Sequence, residues 1–255
     1  MRKNSLLIIA LAITAVSASA QAPSGPASDS TARGDGFAYR RLIVPVVLVT
    51  VGQFGTWEPH AVKANEAVRA RAVRWRGECR VHADDYVQYL SLAAYAGLGN
   101  LGAASRHDWS DRLIVLGASY AAAGVVVNTL KYTVREKRPD SPARHSFPSG
   151  HTATAFLGAE LIRREYGTGY GVAAYTVAAG IGGLRIYNDR HWLGDVVAGA
   201  GVGILCAEIG YRLLPYGRRL LGTDGGSRGP ALAAVPSYDP VTRTGGLALH
   251  LSFGR

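Results

Sequence analysis

The chain has 255 residues, with 28 Lys and Arg against 18 Asp and Glu, a net charge of +10. Nearly half of it is hydrophobic, yet the mean hydropathy is only +0.07, because polar loops and tails dilute several long uncharged segments. The two cysteines, Cys79 and Cys206, lie in no metal-ligand spacing, which excludes a cysteine-built zinc site.

Residues 1–20 read as a secretory signal. Arg2 and Lys3 give a basic start, residues 6–16 an apolar core, and Ala18-Ser19-Ala20 a small-residue cleavage site. A first transmembrane helix needs about 20 apolar residues, and Ser and Ala follow too soon for that. Export places the mature chain in an oxidising compartment. Cys79 in a polar stretch and Cys206 in an apolar one are still expected as separate free thiols. Nucleic acid is a poor partner for an exported protein. Anionic lipid headgroups or a phosphorylated substrate suit the charge better, although a solvated basic face is the plainer reading of the crowded Arg69, Arg71, Arg74, Arg76 and Arg80.

Residues 21–39 form a flexible leader rich in Pro, Ser, Gly and Ala. A single helical domain is expected over 40–215. Its first segment, 42–57, is uncharged, and 58–76 alternates apolar and basic positions as an amphipathic surface helix does. Uncharged runs at 87–105 and 113–130 match the length of a bilayer core. Shorter helices are predicted at 151–163 and 171–184. A last one, 193–214, is interrupted only by Asp195, Glu208 and Arg212. High Gly and Ala content allows these helices to approach closely. Residues 216–255 are a linker and short tail, with 222–239 as linker and 245–253 either an isolated strand or unordered. The fold class is therefore an all-α bundle of five or six core helices, membrane-embedded, with a water-soluble periplasmic bundle as the alternative.

Three clusters in the second half carry the chemistry. Lys131 closes one apolar helix, and Arg138-Pro139 follows in the loop. The arginine offers a planar fork for two phosphate oxygens and the lysine a flexible point charge, though both residue types also serve ordinary helix ends. The second cluster, Pro148-Ser149-Gly150-His151, opens a helix. Ser149 can cap it, Gly150 lets the backbone approach a ligand, and the free amides of the first turn point at an anion. A plain cap with a surface histidine is the bland reading. His145 is a weaker candidate. The third cluster is Arg185, His191 and Asp195. A four-residue step puts His191 and Asp195 on one helix face, where the carboxylate accepts the Nδ1 proton and leaves Nε2 free to attack phosphorus. A carboxylate in an apolar run needs a partner, so a self-satisfied pair is the alternative. Arg190 and Asp189 read as local salt-bridging or surface residues.

Taken in order and spacing, these clusters resemble the phosphatidic acid phosphatase type 2 superfamily, which includes bacterial lipid phosphatases, class A acid phosphatases and vanadium haloperoxidases. The resemblance covers roughly 84–214, and Asp84-Asp85-Tyr86 with His191-Trp192-Leu193-Gly194-Asp195 looks most like its signal-bearing bacterial type. It implies an all-helical fold with the site at the non-cytoplasmic side. It further implies His191 as nucleophile, Asp195 orienting it and His151 as acid and then base. Lys131, Arg138 and Arg185 would clamp the phosphoryl oxygens, with Ser149 and the Gly150 amide completing the cradle. No metal and no cofactor are implied. One position departs: the family places Ser before the third-cluster arginine, and this chain has Leu184.

The expected activity is hydrolysis of a phosphomonoester or diphosphate on a lipid, with lipid A phosphate, undecaprenyl diphosphate, phosphatidate and phosphatidylglycerol phosphate as candidates. Membrane lipids are the expected partners, and the cell envelope, with a periplasm-facing site, the expected place. The alternatives are a soluble acid phosphatase, a vanadium haloperoxidase and a non-catalytic envelope protein.

Overall fold

The computed structural model describes residues 40–223, 231–239 and 244–252, so the signal and leader readings at 1–20 and 21–39 lie outside the described residues. The first apolar and basic segments form α1 (Arg40–Phe54) and α2 (Pro59–Arg76), set 86° apart. Glu58 makes the corner. Its carboxylate accepts from the Ala61 amide at 2.7 Å as an N-cap, and Pro59 begins α2 where no amide is needed.

The run at 87–105 does not form the spanning helix its length predicts. It divides into α3 (Asp84–Val87), α4 (Leu90–Gly97) and a 3-10 turn (Leu98–Leu101). Gly97, Gly99, Asn100 and Gly102 crowd its second half, and Gly102 sits at φ 92°, outside the helical region. Uncharged length was present, but helix propensity was not.

The remaining helices are α5 (Trp109–Val134), α6 (Gly150–Tyr166), α7 (Thr168–Tyr187) and α8 (Leu193–Leu221). Of these, α5 and α8 are long and apolar enough to cross a membrane, and the bent α1–α2 pair is a third candidate if it counts as one span. α8 continues past residue 215 despite an internal Pro215. The tail departs from expectation as well. Part of the expected 222–239 linker is strand β1 (Ala231–Asp239), paired antiparallel with β2 (Thr244–Ser252), with Ala231 opposite Ser252. Weak alternation signalled β2, while Pro236 and a run of alanines hid β1.

The bundle is organised around α8, which packs on α1, α5 and α6, while α6 also packs on α7 and α4. Small residues set the spacing. A Cβ on Gly199 would lie 2.6 Å from the Ser149 carbonyl oxygen, and one on Gly201 the same distance from that of Pro45. Backbone therefore lies on backbone, as glycine-lined helix interfaces permit. Around this core, Ile43, Val44, Val47 and Val51 of α1 face outward, as do Leu113 and Val125 of α5 and Val172 of α7. An apolar exterior of this extent is a surface for lipid rather than water. The alternation of helix directions brings the C-terminal ends of α5 and α7 beside the N-terminal ends of α6 and α8.

Candidate functional site

The site is assembled at that end of the bundle. Asp195 lies in the first turn of α8, fully buried, and its Oδ2 accepts from the Trp192 amide at 2.9 Å. It thus caps its own helix, with its charge facing the positive end of the helix dipole. The same oxygen accepts from Ser146 Oγ at 2.5 Å and lies 3.3 Å from His191 Nδ1. His191 precedes α8 rather than sitting on it. The expected shared helix face is therefore replaced by a capping loop, in which Asp189 takes a left-handed φ of 62°. The outcome is the pairing the four-residue step suggested, reached by different geometry. Burial pushes His191 down to about 4, with Lys131 and Arg185 adding to the fall and Asp195 opposing it. At neutral pH its ring is uncharged.

A second carboxyl group, missed in the sequence, stands behind Asp195. Burial, with the charge of Asp195 and a hydrogen bond to it, pushes Glu136 up to about 9. With both groups ionised, the buried Asp195 Oδ1 and Glu136 Oε2 have no donor between them. One proton on Glu136 satisfies both. The loop is held locally too, since the Ser146 amide donates to the Glu136 carbonyl at 3.0 Å and Arg138 N to Ala143 O at 2.9 Å.

Ser149 is the N-cap of α6. Its Oγ accepts from the Thr152 amide at 3.4 Å and from Thr152 Oγ1 at 2.9 Å, while its own amide donates to the Asp195 carbonyl at 3.0 Å. That last bond ties the two helix starts together. Gly150 and His151 follow in the first turn, where amides have no intrahelical acceptor.

The cations converge from the other helix ends. Lys131, in the last turn of α5, donates from Nζ to the His145 carbonyl at 2.8 Å. Arg185, buried near the end of α7, donates from Nη1 to Asp84 Oδ2 at 2.5 Å and Asp85 Oδ1 at 3.3 Å. His151 Nε2 lies 3.0 Å from that same Asp85 oxygen. The Nε atoms of Arg138 and Arg185 are buried without an acceptor among the described residues. Burial lowers His151 from its ordinary value, Arg185 adds to the fall and Asp85 opposes it. Asp85 is held below the usual carboxylate range: burial acts against this, but the His151 hydrogen bond and Arg185 outweigh it.

All eight residues singled out from the sequence thus lie at one end of the bundle. The sequence alone assigns no role to Asp84, Asp85, Glu136 or Ser146. The signal for the aspartates was an acidic pair opening an apolar run, in a chain whose other motifs are cationic. His145 is an exposed loop residue whose carbonyl, not its ring, holds Lys131. Asp189 and Arg190 do form salt bridges, to Arg69 at 2.7 Å and Asp140 at 3.0 Å. The first of these pins α2, so Arg69 is not part of a merely solvated face. Cys79 and Cys206 are free. Among the described residues, no group of three or more His, Cys, Asp or Glu side chains could hold a metal ion.

These features define a class: a helical bundle with an apolar exterior, carrying two histidines, a buried aspartate and three cations at one end. Residues 112–219 match the PAP2 superfamily. It is 42% identical over 147 residues to a lipid A 1-phosphatase of Porphyromonas gingivalis, a match covering 55% of this chain and 33% of that one. The chain thus spans about a third of the length of this relative. Among solved structures, it resembles a transmembrane PAP2-type phosphatidylglycerolphosphate phosphatase from Bacillus subtilis. The TM-score is 0.52 and the identity 19%, covering 72% of this chain and 98% of that one, a likeness of fold. The crystal structure of Aquifex aeolicus LpxE aligns with a TM-score of 0.44 and 23% identity, over 56% of this chain and 94% of that one.

Proposed function

We propose that this protein hydrolyses a phosphate ester or diphosphate carried on a lipid, through a phosphohistidine intermediate, at the periplasmic face of a bacterial membrane. The observation that carries this reading is a buried His191 whose Nδ1 faces Asp195 Oδ2 at 3.3 Å, at the same helix ends as Lys131, Arg138 and Arg185.

His191 Nε2 attacks phosphorus, and the bond from phosphorus to the leaving oxygen breaks. That oxygen takes its proton from His151, while Asp195 stabilises the imidazolium forming on His191. His151, now neutral, removes a proton from water. The hydroxide attacks phosphorus, the P–N bond breaks, and inorganic phosphate leaves with His191 restored. Throughout, the three cations, the Ser149 region and the amides of Gly150 and His151 compensate charge on the equatorial oxygens. Positioning and electrostatics of this kind are the main demand of phosphoryl transfer. The buried Nε donors of Arg138 and Arg185 are the groups such an anion would satisfy.

The lipid part of the reading rests on the exposed apolar faces of α1, α5 and α7 and on the spanning length of α5 and α8. Lipid A phosphate, undecaprenyl diphosphate, phosphatidate and phosphatidylglycerol phosphate remain the candidate substrates. The test is phosphate release from lipid–detergent micelles by the wild-type and His191→Ala proteins. Loss of release in the variant supports the mechanism, and undiminished release sinks it.

A further inference from the structure

Next to the His191 centre, an open cavity of about 640 Å³ lies against the C-terminal end of α5, lined by Asn128, Lys131, Tyr132, Arg135, Arg144 and His145. Its chemistry is one-sided: three cationic side chains, an amide, a phenol and an imidazole, with no carboxylate. Arg135 and Arg144 are exposed, and neither guanidinium has a hydrogen bond or ion pair within the described residues. Elsewhere in the chain, Arg69, Arg163, Arg185, Arg190 and Arg218 all meet carboxylates. Arg135 also takes a left-handed φ of 54° where it ends α5, a conformation that L side chains rarely adopt. His145 registers the local field: burial lowers it, and Arg138 and Lys131 lower it further.

Lys131 links this cavity to the reaction centre. It lines the cavity, and its charge also acts on His191. An anion held by Arg135 and Arg144 therefore lies next to whatever Lys131 and Arg138 hold.

We propose that this cavity is a second anion subsite, which holds a second phosphate of the same lipid headgroup while the first phosphate is at His191. This rests on the His191 centre being the phosphate site. Two substrate types present that chemistry: a diphosphate, whose second phosphate adjoins the first, and a headgroup bearing two separate phosphomonoesters. Guanidinium forks suit either, because each takes two phosphate oxygens at once.

The test is an Arg135→Ala/Arg144→Ala protein, assayed beside wild type and His191→Ala in micelles of fixed composition. The substrates are a lipid monophosphate, the diphosphate of the same lipid, a lipid with two separate phosphomonoesters, and water-soluble p-nitrophenyl phosphate. The double variant is expected to raise KM roughly tenfold or more for at least one doubly phosphorylated lipid, the loss of a charge-assisted contact. Its kcat, and its KM for the lipid monophosphate and p-nitrophenyl phosphate, should stay within about twofold of wild type. Whether the diphosphate or the separated pair responds identifies the source of the second phosphate. Unchanged KM for every substrate overturns the subsite alone. An equal rise for all the lipids, the monophosphate included, also overturns it and assigns the arginines to the micelle surface. Undiminished activity in His191→Ala, or no lipid turnover by wild type, removes the underlying reading and the subsite with it.

Discussion

The carboxylate of Asp85 lies 3.0 Å from Nε2 of His151, and the same oxygen is 3.3 Å from Arg185 Nη1. One acidic side chain thus engages both the proposed acid and a proposed clamp. Asp85 opposes the fall in the His151 pKa. Removing its charge should lower that pKa further. In wild type, kcat/KM should rise through about pH 4 as His191 loses its proton and fall at a pH below 6.5 as His151 loses its own. Asp85→Asn should move the falling limb to lower pH and leave the rising limb in place. A pH profile on one lipid substrate reads this directly. An unshifted falling limb with tighter phosphate inhibition would instead make Asp85 an occupant of the anion position.

Glu136 gives a prediction of a different form. Burial and the charge of Asp195 push its carboxyl group up to about 9, so a proton on Glu136, shared with Asp195, is the expected state at neutral pH. Glu136→Gln keeps a neutral donor and should retain activity within about threefold, whereas Glu136→Ala leaves a buried carboxylate oxygen unpaired at a cost of about 1–3 kcal/mol. The stability sign follows from a raised acid pKa: the contribution is complete below the ordinary glutamate value and is lost as pH rises toward about 9. Melting temperatures from pH 5 to 9 should therefore fall more steeply in wild type than in Glu136→Gln. Parallel slopes would show that Glu136 does not carry that proton.

These two carboxylates also show where sequence reading stops. Lys131, Arg138, Ser149, Gly150, His151, Arg185, His191 and Asp195 were legible because each lies in a short string whose chemistry is local to a helix end. Asp85 meets His151 across 66 positions, and Ser146 meets Asp195 across 49. Such contacts depend on which helix ends the packing brings together, and no local period encodes them. The same limit holds at 87–105, where the uncharged length matches a membrane span but the glycines decide the conformation. By contrast, 113–130 and 193–214 lie within α5 and α8, because uncharged length and helix propensity agree there.

Gly201 tests the packing that holds the site end together. A methyl group there would meet Pro45 O at 2.6 Å, Val49 Cγ2 at 2.8 Å and Leu48 Cβ at 2.9 Å. The obstacle is largely α1 itself, which cannot rotate away as a flexible side-chain tip can. Gly201→Ala should destabilise by about 1–3 kcal/mol, the usual cost of overpacking. Gly199→Ala presses on the Ser149 carbonyl instead, at 2.6 Å, and should lower kcat as well as stability because Ser149 begins α6 beside Asp195. Thermal unfolding and turnover measured on both variants separate the effects. Equal losses of kcat would refute this division.

Leu184 stands where the superfamily that the sequence resembles places a serine, and its replacement asks whether that hydroxyl matters here. If that hydroxyl serves to hold the neighbouring arginine, the task is already done: Arg185 is buried, bonded to Asp84 at 2.5 Å, and Asp84 is itself held by Asn188 at 3.3 Å. The Leu184 carbonyl accepts from the Asn188 amide at 2.8 Å, a backbone bond indifferent to the side chain. Leu184→Ser should therefore leave kcat within about twofold, since only a group acting on the transition state changes kcat and kcat/KM together. Asp84→Asn should weaken the hold on Arg185 and lower kcat/KM by roughly tenfold, the scale of one charge-assisted hydrogen bond. Steady-state kinetics on the same lipid substrate decides between the two supports. A large gain in kcat from Leu184→Ser would mean that the serine hydroxyl acts on the phosphoryl group rather than on the arginine.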